Sequence, residues 1–341
     1  MRAFVINKPG EASLIEIDKP SPAAGEVLLR VRLAGFCGSD LSTFRGKNPM
    51  VSYPRIPGHE IAGTIETAGA SVPDEFRTGM DITVSPYTAC GTCPSCRRGR
   101  ANACRDNQTL GVQREGAITE YVAVPWTKVQ RSSKLSIREL CLVEPLSVGF
   151  HAVSRGRVTA DDTVAVLGCG AIGLGAVAAS AFRGAKTIVV DIDRDKLELA
   201  GKAGAAHRID SREEDLHERL QELTGADGPD VIIEAIGLPA TFRAAVEEVA
   251  FTGRVVYIGY AKEPVSYETK FFVQKELDIM GSRNAMPEDF AEVIRMLEQG
   301  RFPVEQTISS VVPLAKAGEA MKAWSDNPPA FTKILVDLDG E

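Results

Sequence analysis

The segment VLGCGAIGLG, residues 166–175, narrows the possible folds of this chain more than any other stretch. Its Gly168, Gly170 and Gly173 have the spacing G-x-G-x-x-G and lie between a predicted strand and a predicted helix. Glycines at these points permit a tight turn and a close approach of the backbone to a pyrophosphate, which the helix amino terminus then holds. Asp191 follows in the next predicted strand, where a carboxylate accepts hydrogen bonds from a ribose diol and repels a 2′-phosphate. The pattern predicts a dinucleotide-binding unit that prefers NAD to NADP.

Strand and helix patterns alternate from about residue 160 onwards. The predicted strands cover residues 163–168, 187–193, 207–210, 230–237, 253–259 and 277–282. Helical stretches separate them, so the sequence predicts an α/β fold with a doubly wound parallel sheet, the Rossmann architecture. Residues 164–182 carry no charge and could span a bilayer by length, but the glycine motif lies inside them. They are therefore predicted to be a buried strand and its packed helix, and no membrane partner is expected.

Outside this region, the chain has a different pattern of residue types. Before residue 150, Gly, Pro and short β-branched runs such as EVLLRVRLAG and IAGTIETAG predict small antiparallel strands. After residue 286, the sequence predicts an amphipathic helix at PEDFAEVIRMLEQG, a further helix near AKAGEAMKAWS and a strand at KILVDL. A length of 341 residues suits two domains.

The net charge and the cysteine content limit which binding partners and which cellular compartment are expected. The net charge is −7, which does not suit a general nucleic-acid binder. The amino terminus MRAFVINKPG lacks the apolar core of a signal peptide. Seven cysteines, four of them clustered, suit metal binding in a reducing compartment better than disulfides. We expect a cytoplasmic protein.

The clustered cysteines Cys90, Cys93, Cys96 and Cys104 lie in a lobe of residues 86–108 with the spacing of zinc ligands. Four thiolates fill the tetrahedral shell of zinc and leave no open position for a substrate, so this metal is predicted to stabilise a loop. Four arginines in the lobe offset its negative charge. A nucleic-acid patch and ordinary buried cysteines are the alternatives, but the acidic chain disfavours the first and the spacing disfavours the second.

Three further motifs, CGSD at 37–40, GHE at 58–60 and EPLSVGFHA at 144–152, precede the glycine motif. With the cysteine lobe, their order resembles the zinc-containing alcohol dehydrogenases of the medium-chain dehydrogenase/reductase family over nearly the whole chain. The glutamate of EPLSVGFHA is similar to that of the sorbitol, galactitol-1-phosphate and threonine dehydrogenases. The segments SYPRIPGHE, CPSCRRGRANAC and MGSRNAMPEDF resemble L-galactonate 5-dehydrogenase-type enzymes.

The resemblance implies a domain arrangement. Residues 1–150 are expected to form a GroES-like, mainly β substrate domain, and residues 151–285 a Rossmann NAD-binding domain. Residues 286–341 are expected to return to the substrate domain.

The resemblance also implies a catalytic zinc held by Cys37, His59 and Glu144, with Glu60 as an exchangeable ligand or a nearby partner. One thiolate, one imidazole and one carboxylate make the zinc site formally neutral, and a second carboxylate would weaken the metal as a Lewis acid. We therefore expect the two glutamates to trade places during turnover. Ser39 is expected to hydrogen-bond the substrate oxygen and to pass its proton outward.

The outer end of this proton relay departs from many relatives, which have a histidine where this chain has Ser42. Water, Ser42, the cofactor ribose or His151 is expected to complete the relay.

The same resemblance predicts further contacts with NAD and substrate. Residues expected to contact the cofactor, besides the three glycines and Asp191, are Ile172, Lys196, Ile258, Gly259, Ser282 and Arg283. Residues expected to contact the substrate are Ser39, Glu144, Arg283 and Asn284. The guanidinium of Arg283 could bind a sugar-acid carboxylate with two hydrogen bonds, or only hold the polyol chain or the nicotinamide side.

We therefore expect a dehydrogenase with two zinc ions per chain and NAD, acting on a secondary alcohol of a polyol or sugar acid. A homodimer or homotetramer is expected from the family. The alternatives are a threonine-type amino-alcohol dehydrogenase and a non-catalytic zinc protein that serves as a redox sensor or binding module.

Overall fold

Fifteen strands and eleven helices form within residues 1–340, the part of the chain that the computed structural model describes. The strands are β1 (Arg2–Lys8), β2 (Glu11–Glu16), β3 (Glu26–Gly35), β4 (Glu60–Ala68), β5 (Asp81–Val84), β6 (Tyr121–Pro125), β7 (Val129–Arg131), β8 (Thr163–Leu167), β9 (Lys186–Asp191), β10 (His207–Asp210), β11 (Val231–Glu234), β12 (Arg254–Tyr257), β13 (Asp278–Gly281), β14 (Ile308–Pro313) and β15 (Lys333–Asp337). The helices are α1 (Gly38–Phe44), α2 (Pro94–Arg97), α3 (Ile137–Arg155), α4 (Ala171–Phe182), α5 (Arg194–Lys202), α6 (Leu216–Thr224), α7 (Pro239–Glu248), α8 (Lys270–Gln274), α9 (Pro287–Glu298), α10 (Val304–Thr307) and α11 (Ala317–Asp326).

The chain divides into two units. The first contains Met1–Glu144 and Val304–Glu341, and the second contains Pro145–Pro303. The unit boundaries therefore differ from the predicted ones at 150/151 and 285/286. Helix α9 belongs to the second unit because its Asp289 contacts His151 (Nδ1 to Oδ2, 2.7 Å) and accepts a hydrogen bond from Ser154 at 2.9 Å. The return to the first unit accordingly begins at residue 304 and not at 286.

The second unit is built on a six-stranded parallel sheet with the order β10-β9-β8-β11-β12-β13. This order is that of a dinucleotide-binding doubly wound sheet, and the predicted fold class is confirmed. All six predicted strands are present, most of them shorter at their ends than predicted. Strand β11, for example, ends at Glu234 because its carboxylate accepts hydrogen bonds from the amides of Ile236 and Gly237 at 2.9 and 2.7 Å.

The glycine motif forms the turn between β8 and α4. Gly168 has φ of 96°, a conformation that favours glycine, and a Cβ at Gly173 would overlap the carbonyl oxygen of Gly168. The uncharged run 164–182 is divided between β8 and α4, as predicted. Across residues 1–340, no helix has the length and apolar character needed to cross a membrane.

The first unit is built on a seven-stranded sheet, in which β6 pairs with β3 outside the path β14-β15-β3-β4-β5-β7. Its pairs are antiparallel except β14 with β15. The carboxy-terminal strand β15 lies beside β3, with Leu335 opposite Gly35, and Gly35 in turn lies opposite Glu60 of β4. Large side chains such as Phe4, Ile61 and Ile118 fill the core of this unit.

Candidate zinc and cofactor sites

A cluster of possible metal ligands forms at one end of strands β3 and β4 in the first unit. The ligand atoms of Cys37, His59 and Glu60 lie within 4.8 Å of one another. Cys37 directly precedes helix α1, just after β3. His59 directly precedes the antiparallel neighbour β4, and Glu60 begins it. The register of the two strands therefore brings together residues that are more than 20 positions apart in the sequence.

The electrostatics of this cluster favour a bound cation. His59 is buried, and burial alone lowers its pKa, but the charge of Cys37, its hydrogen bond and the carboxylates of Asp40 and Glu144 raise that pKa well above the ordinary value. Its Nδ1 is buried and has no hydrogen-bond partner among residues 1–340. A sulfur, a nitrogen and an oxygen donor form a ligand set that zinc commonly takes in catalytic sites. The residues thus fit the metal that the sequence predicts.

Asp40 fixes the loop that carries Cys37. Its Oδ2 accepts a hydrogen bond from the Cys37 amide at 2.9 Å. Burial raises the pKa of Asp40, while His59 and the Cys37 amide lower it. The carboxyl group of Asp40 thereby holds the backbone of one predicted ligand and lies close enough to influence the charge of another.

Glu60 forms a buried ion pair that the sequence analysis did not predict. Lys333 Nζ lies 2.7 and 2.5 Å from the two carboxylate oxygens of Glu60, and it also donates to the Phe36 carbonyl at 3.2 Å. The two side chains are only 3% and 1% exposed. Burial lowers the pKa of Lys333, but Glu60 and Cys37 raise it more, so the ammonium group stays charged.

Glu144 has a different environment. The hydroxyl of Tyr87 donates a hydrogen bond to its Oε1, and both residues are buried. Burial raises the pKa of Glu144, to about 7, although the nearby His59 opposes this effect. Glu144 is not in the group formed by Cys37, His59 and Glu60. Its predicted role as the third zinc ligand, and the exchange with Glu60, stay predictions.

Ser39 lies in helix α1, two residues after Cys37. Its Oγ is buried and has no hydrogen-bond partner within residues 1–340, so it is able to bind a substrate oxygen. His151, one of the expected ends of the proton relay, belongs to the second unit, where its Nδ1 contacts Asp289.

The four lobe cysteines also come together. The Sγ atoms of Cys90, Cys93, Cys96 and Cys104 lie within 4.8 Å of one another. Backbone amides of Cys90 and Cys93 donate to the sulfurs of Cys104 and Cys90, each at 3.3 Å. Backbone hydrogen bonds lower the pKa of Cys93 to about 6. Four sulfurs brought this close together fit a closed structural zinc site.

The residues predicted to bind the cofactor follow four parallel strands of the second unit. The glycine motif follows β8, Asp191 ends β9, Ile258 and Gly259 follow β12, and Ser282 and Arg283 follow β13. Asn284, predicted to contact the substrate, comes directly after Arg283. Ligands of such sheets bind at these carboxyl ends. Asp191 Oδ2 accepts a hydrogen bond from the Cys169 amide at 2.6 Å, which fixes its carboxylate beside the glycine turn.

Helix α5 is held in place by an acidic side chain, and the loop after β12 is held by a backbone carbonyl. Asp193 caps α5 by accepting the amides of Asp195 and Lys196 at 3.0 and 3.2 Å. The Glu234 carbonyl accepts the amides of Ile258 and Gly259 at 2.9 and 3.2 Å.

Two family models match the chain: the alcohol dehydrogenase GroES-like domain over residues 23–134 and the zinc-binding dehydrogenase domain over residues 171–299. L-galactonate-5-dehydrogenase of Escherichia coli K12 is 32% identical, over 94% of both chains. Sorbitol dehydrogenase of Bacillus subtilis 168 is 34% identical, over 98% of this chain and 97% of the relative.

Solved structures are similar over the same length. An alcohol dehydrogenase (rspB) from Escherichia coli CFT073, complexed with NADH, is 31% identical with a TM-score of 0.92, over 99% of both chains. A zinc-binding dehydrogenase from Sinorhizobium meliloti 1021, bound to NADP, is 29% identical with a TM-score of 0.90, also over 99% of both chains.

Proposed function

Because the chain belongs to the zinc-type alcohol dehydrogenase family of medium-chain dehydrogenases, we propose that it oxidises a secondary alcohol of a polyol or sugar acid with NAD. The observation that carries the proposal is the convergence of Cys37, His59 and Glu60, together with a buried Ser39 hydroxyl that has no hydrogen-bond partner in residues 1–340. An alcohol dehydrogenase needs this combination of an open metal site and a proton acceptor for the substrate hydroxyl.

The chain's residues have distinct roles in this reaction. A zinc ion bound here supplies the Lewis acidity that lowers the pKa of an alcohol hydroxyl, and NAD accepts the hydride. Cys37 and His59 hold the metal together with Glu144 or Glu60, and Asp40 keeps the Cys37 backbone in place. Ser39 accepts the substrate proton and passes it outward.

The choice of NAD over NADP is supported by Asp191. Its carboxylate is fixed by the amides of Cys169 and Ile192 at 2.6 and 2.7 Å, so it cannot easily turn away from a 2′-phosphate. Asp191→Ala is expected to weaken NADH binding. It is also expected to reduce the discrimination against NADPH, the ratio of the two dissociation constants, at least tenfold. Fluorescence titration with both cofactors measures this, and a wild-type preference for NADPH would contradict it.

The substrate class is supported by the named activities of two relatives, an L-galactonate and a sorbitol dehydrogenase. Arg283 lies half-buried after β13 and supplies a guanidinium that can bind the carboxylate of a sugar acid. Arg283→Ala should then raise KM for hexonates more than for neutral polyols. An equal rise for both classes would assign Arg283 to the polyol chain or the nicotinamide side.

The test of the overall function is NADH formation at moderately alkaline pH over a panel of polyols, aldonates, sugar phosphates and threonine. We expect turnover with a polyol or aldonate. Turnover with threonine alone would assign the chain to the amino-alcohol dehydrogenases, and turnover with none would refute the proposed reaction.

A further inference from the structure

Residues 282–286 join strand β13 to helix α9 and include Arg283 and Asn284, which are expected to contact the substrate. Asn284 has φ of 54°, in the left-handed region that residues other than glycine seldom adopt. Such a backbone persists where the surrounding structure fixes it. The contacts at the two ends of this segment therefore decide where Arg283 and Asn284 lie.

The end of helix α3 contacts the chain at both ends of the segment. At the start, Arg155 Nε donates a hydrogen bond to the Gly281 carbonyl at 3.2 Å. At the other end, the Met286 amide donates to Asp289 Oδ2 at 2.8 Å, and the same oxygen lies 2.7 Å from His151 Nδ1. One helix thus supports both the entry to the segment and the exit from it.

Asp289 is a buried acceptor for three donors. Besides the two contacts at Oδ2, its Oδ1 accepts the hydroxyl of Ser154 at 2.9 Å. Because the Met286 amide can only donate, the carboxylate is the acceptor, and we place the hydrogen of the contact with His151 on Nδ1. The side chains of His151 and Asp289 are only 6% and 4% exposed. Loss of the imidazole donor would therefore leave a buried carboxylate with too few partners.

A further set of contacts orients Ser154. Arg183, directly after helix α4, donates through Nη2 to Ser154 Oγ at 2.8 Å and to Glu292 Oε2 at 2.6 Å. Since Ser154 Oγ accepts this bond, its own hydrogen is left for Asp289. Glu292 belongs to helix α9, so Arg183 holds α9 at a second point, one turn after Asp289.

We propose that His151 is a positioning residue that, through Asp289, fixes residues 282–286 and with them the guanidinium of Arg283. His151 then does not complete the proton relay, which was one of its expected roles. The consequence for substrate binding rests on the proposed function, whereas the fixed backbone does not.

Three variants test the inference. His151→Leu removes the donor to Asp289 at similar size. His151→Asn is the conservative variant, because its amide N–H can take the place of Nδ1–H. Val153→Ala is the control for lost packing, since Val153 is fully buried in the same helix and takes part in none of these contacts. The readout is hydrogen–deuterium exchange, followed by mass spectrometry, of a peptide covering residues 282–286 in protein without cofactor or substrate.

We expect exchange in this peptide to be at least tenfold faster in His151→Leu than in the wild type. In His151→Asn and Val153→Ala it should stay within about twofold of the wild-type rate. Strand β9, far from β13 in the sheet, is the internal reference and should not change in any variant. An unchanged rate in His151→Leu, or an equal increase in β9, would overturn the inference. If His151→Leu does not fold, Ser154→Ala replaces it, with at least threefold faster exchange expected and an unchanged rate as the refuting result.

Kinetics test the link to Arg283. His151→Leu should raise KM at least threefold for the substrates that Arg283→Ala affects, and the double variant should match Arg283→Ala within about twofold. Additive effects would show that His151 does not act through Arg283 and would overturn that part of the inference.

The same measurements separate positioning from proton transfer. His151→Asn should keep kcat within about threefold of the wild type from about pH 7 to 9, whereas the end of a proton relay would lose at least tenfold in both His151 variants and would overturn the inference. If no substrate is oxidised by the wild type, the proposed function is wrong, and the exchange rates alone decide whether His151 fixes residues 282–286.

Discussion

Gly35→Ala tests whether the close approach of strand β3 to Glu60 is needed to hold the metal ligands. The added Cβ would overlap Glu60 Oε2. The carboxylate cannot move away freely, because both of its oxygens contact Lys333. Overpacking of this kind costs about 1–3 kcal/mol. If the shift of Glu60 separates it from Lys333, the cost rises to the range of about 3–5 kcal/mol that is typical of broken buried ion pairs.

Gly25→Ala is the matched control. Gly25 directly precedes the same strand, and a Cβ there would meet no atom within 4 Å. At about 2–4 °C per kcal/mol for a unit of this size, Gly35→Ala should melt about 2–12 °C below Gly25→Ala, and about 6–20 °C below it if the ion pair is broken. Thermal unfolding monitored by circular dichroism measures this difference on zinc-loaded protein, and a chelator assay on the same samples should show faster release of the labile zinc. Equal melting temperatures and equal zinc release in the two variants would refute the steric reasoning.

Three further predictions concern other parts of the chain. Cys93→Ser should lower the melting temperature and remove one zinc, while NADH formation per folded molecule is retained; loss of turnover with unchanged stability would reverse the assignment of the two metal sites. Glu234→Ala leaves the hydrogen-bond donors of Ile236, Gly237 and Thr241 without their shared acceptor, and each lost bond costs about 1–3 kcal/mol of stability. NADH binding, followed by fluorescence, should therefore weaken at least tenfold. Substitution of an exposed glutamate, Glu222→Ala, should leave NADH binding unchanged. The hydrogen bond to Glu248 raises the pKa of His217. The stabilising contribution of His217 is therefore complete below about pH 6.5, the pKa in unfolded chains, and is lost as the pH rises through the pKa of the folded state. The free energies of unfolding in urea of the wild type and His217→Gln should converge above that range, and a constant difference up to pH 9 would contradict the assignment.

Local patterns were sufficient to predict the second unit. The glycine turn between β8 and α4 and the alternation of strands and helices depend on residues close together in sequence, so spacing and periodicity reveal them. The boundary at 303/304 could not be predicted in this way. The apolar face of α9 could pack in either unit, and the contact between Asp289 and His151, which assigns the helix, joins residues 138 positions apart.

The cluster of predicted catalytic zinc ligands could likewise be predicted only in part. The motifs around Cys37 and His59 are short and carry the resemblance to a family, so these two ligands could be predicted. The Lys333–Glu60 pair could not, because it depends on the register of three strands and on a separation of 273 residues. A lysine at the start of an apolar terminal strand was the available signal, but such a lysine is ordinarily exposed. Tyr87 gave no signal apart from its position within the cysteine lobe.

The measurement that tests the central claim most directly is the zinc content and NADH-forming activity of Cys37→Ser beside the wild-type protein. The account predicts two zinc ions per wild-type chain and one per variant chain, an unchanged circular dichroism spectrum, and activity reduced at least a thousandfold. Two retained zinc ions with substantial activity in the variant would contradict the claim that Cys37 and His59 hold the metal of a zinc-dependent alcohol dehydrogenase.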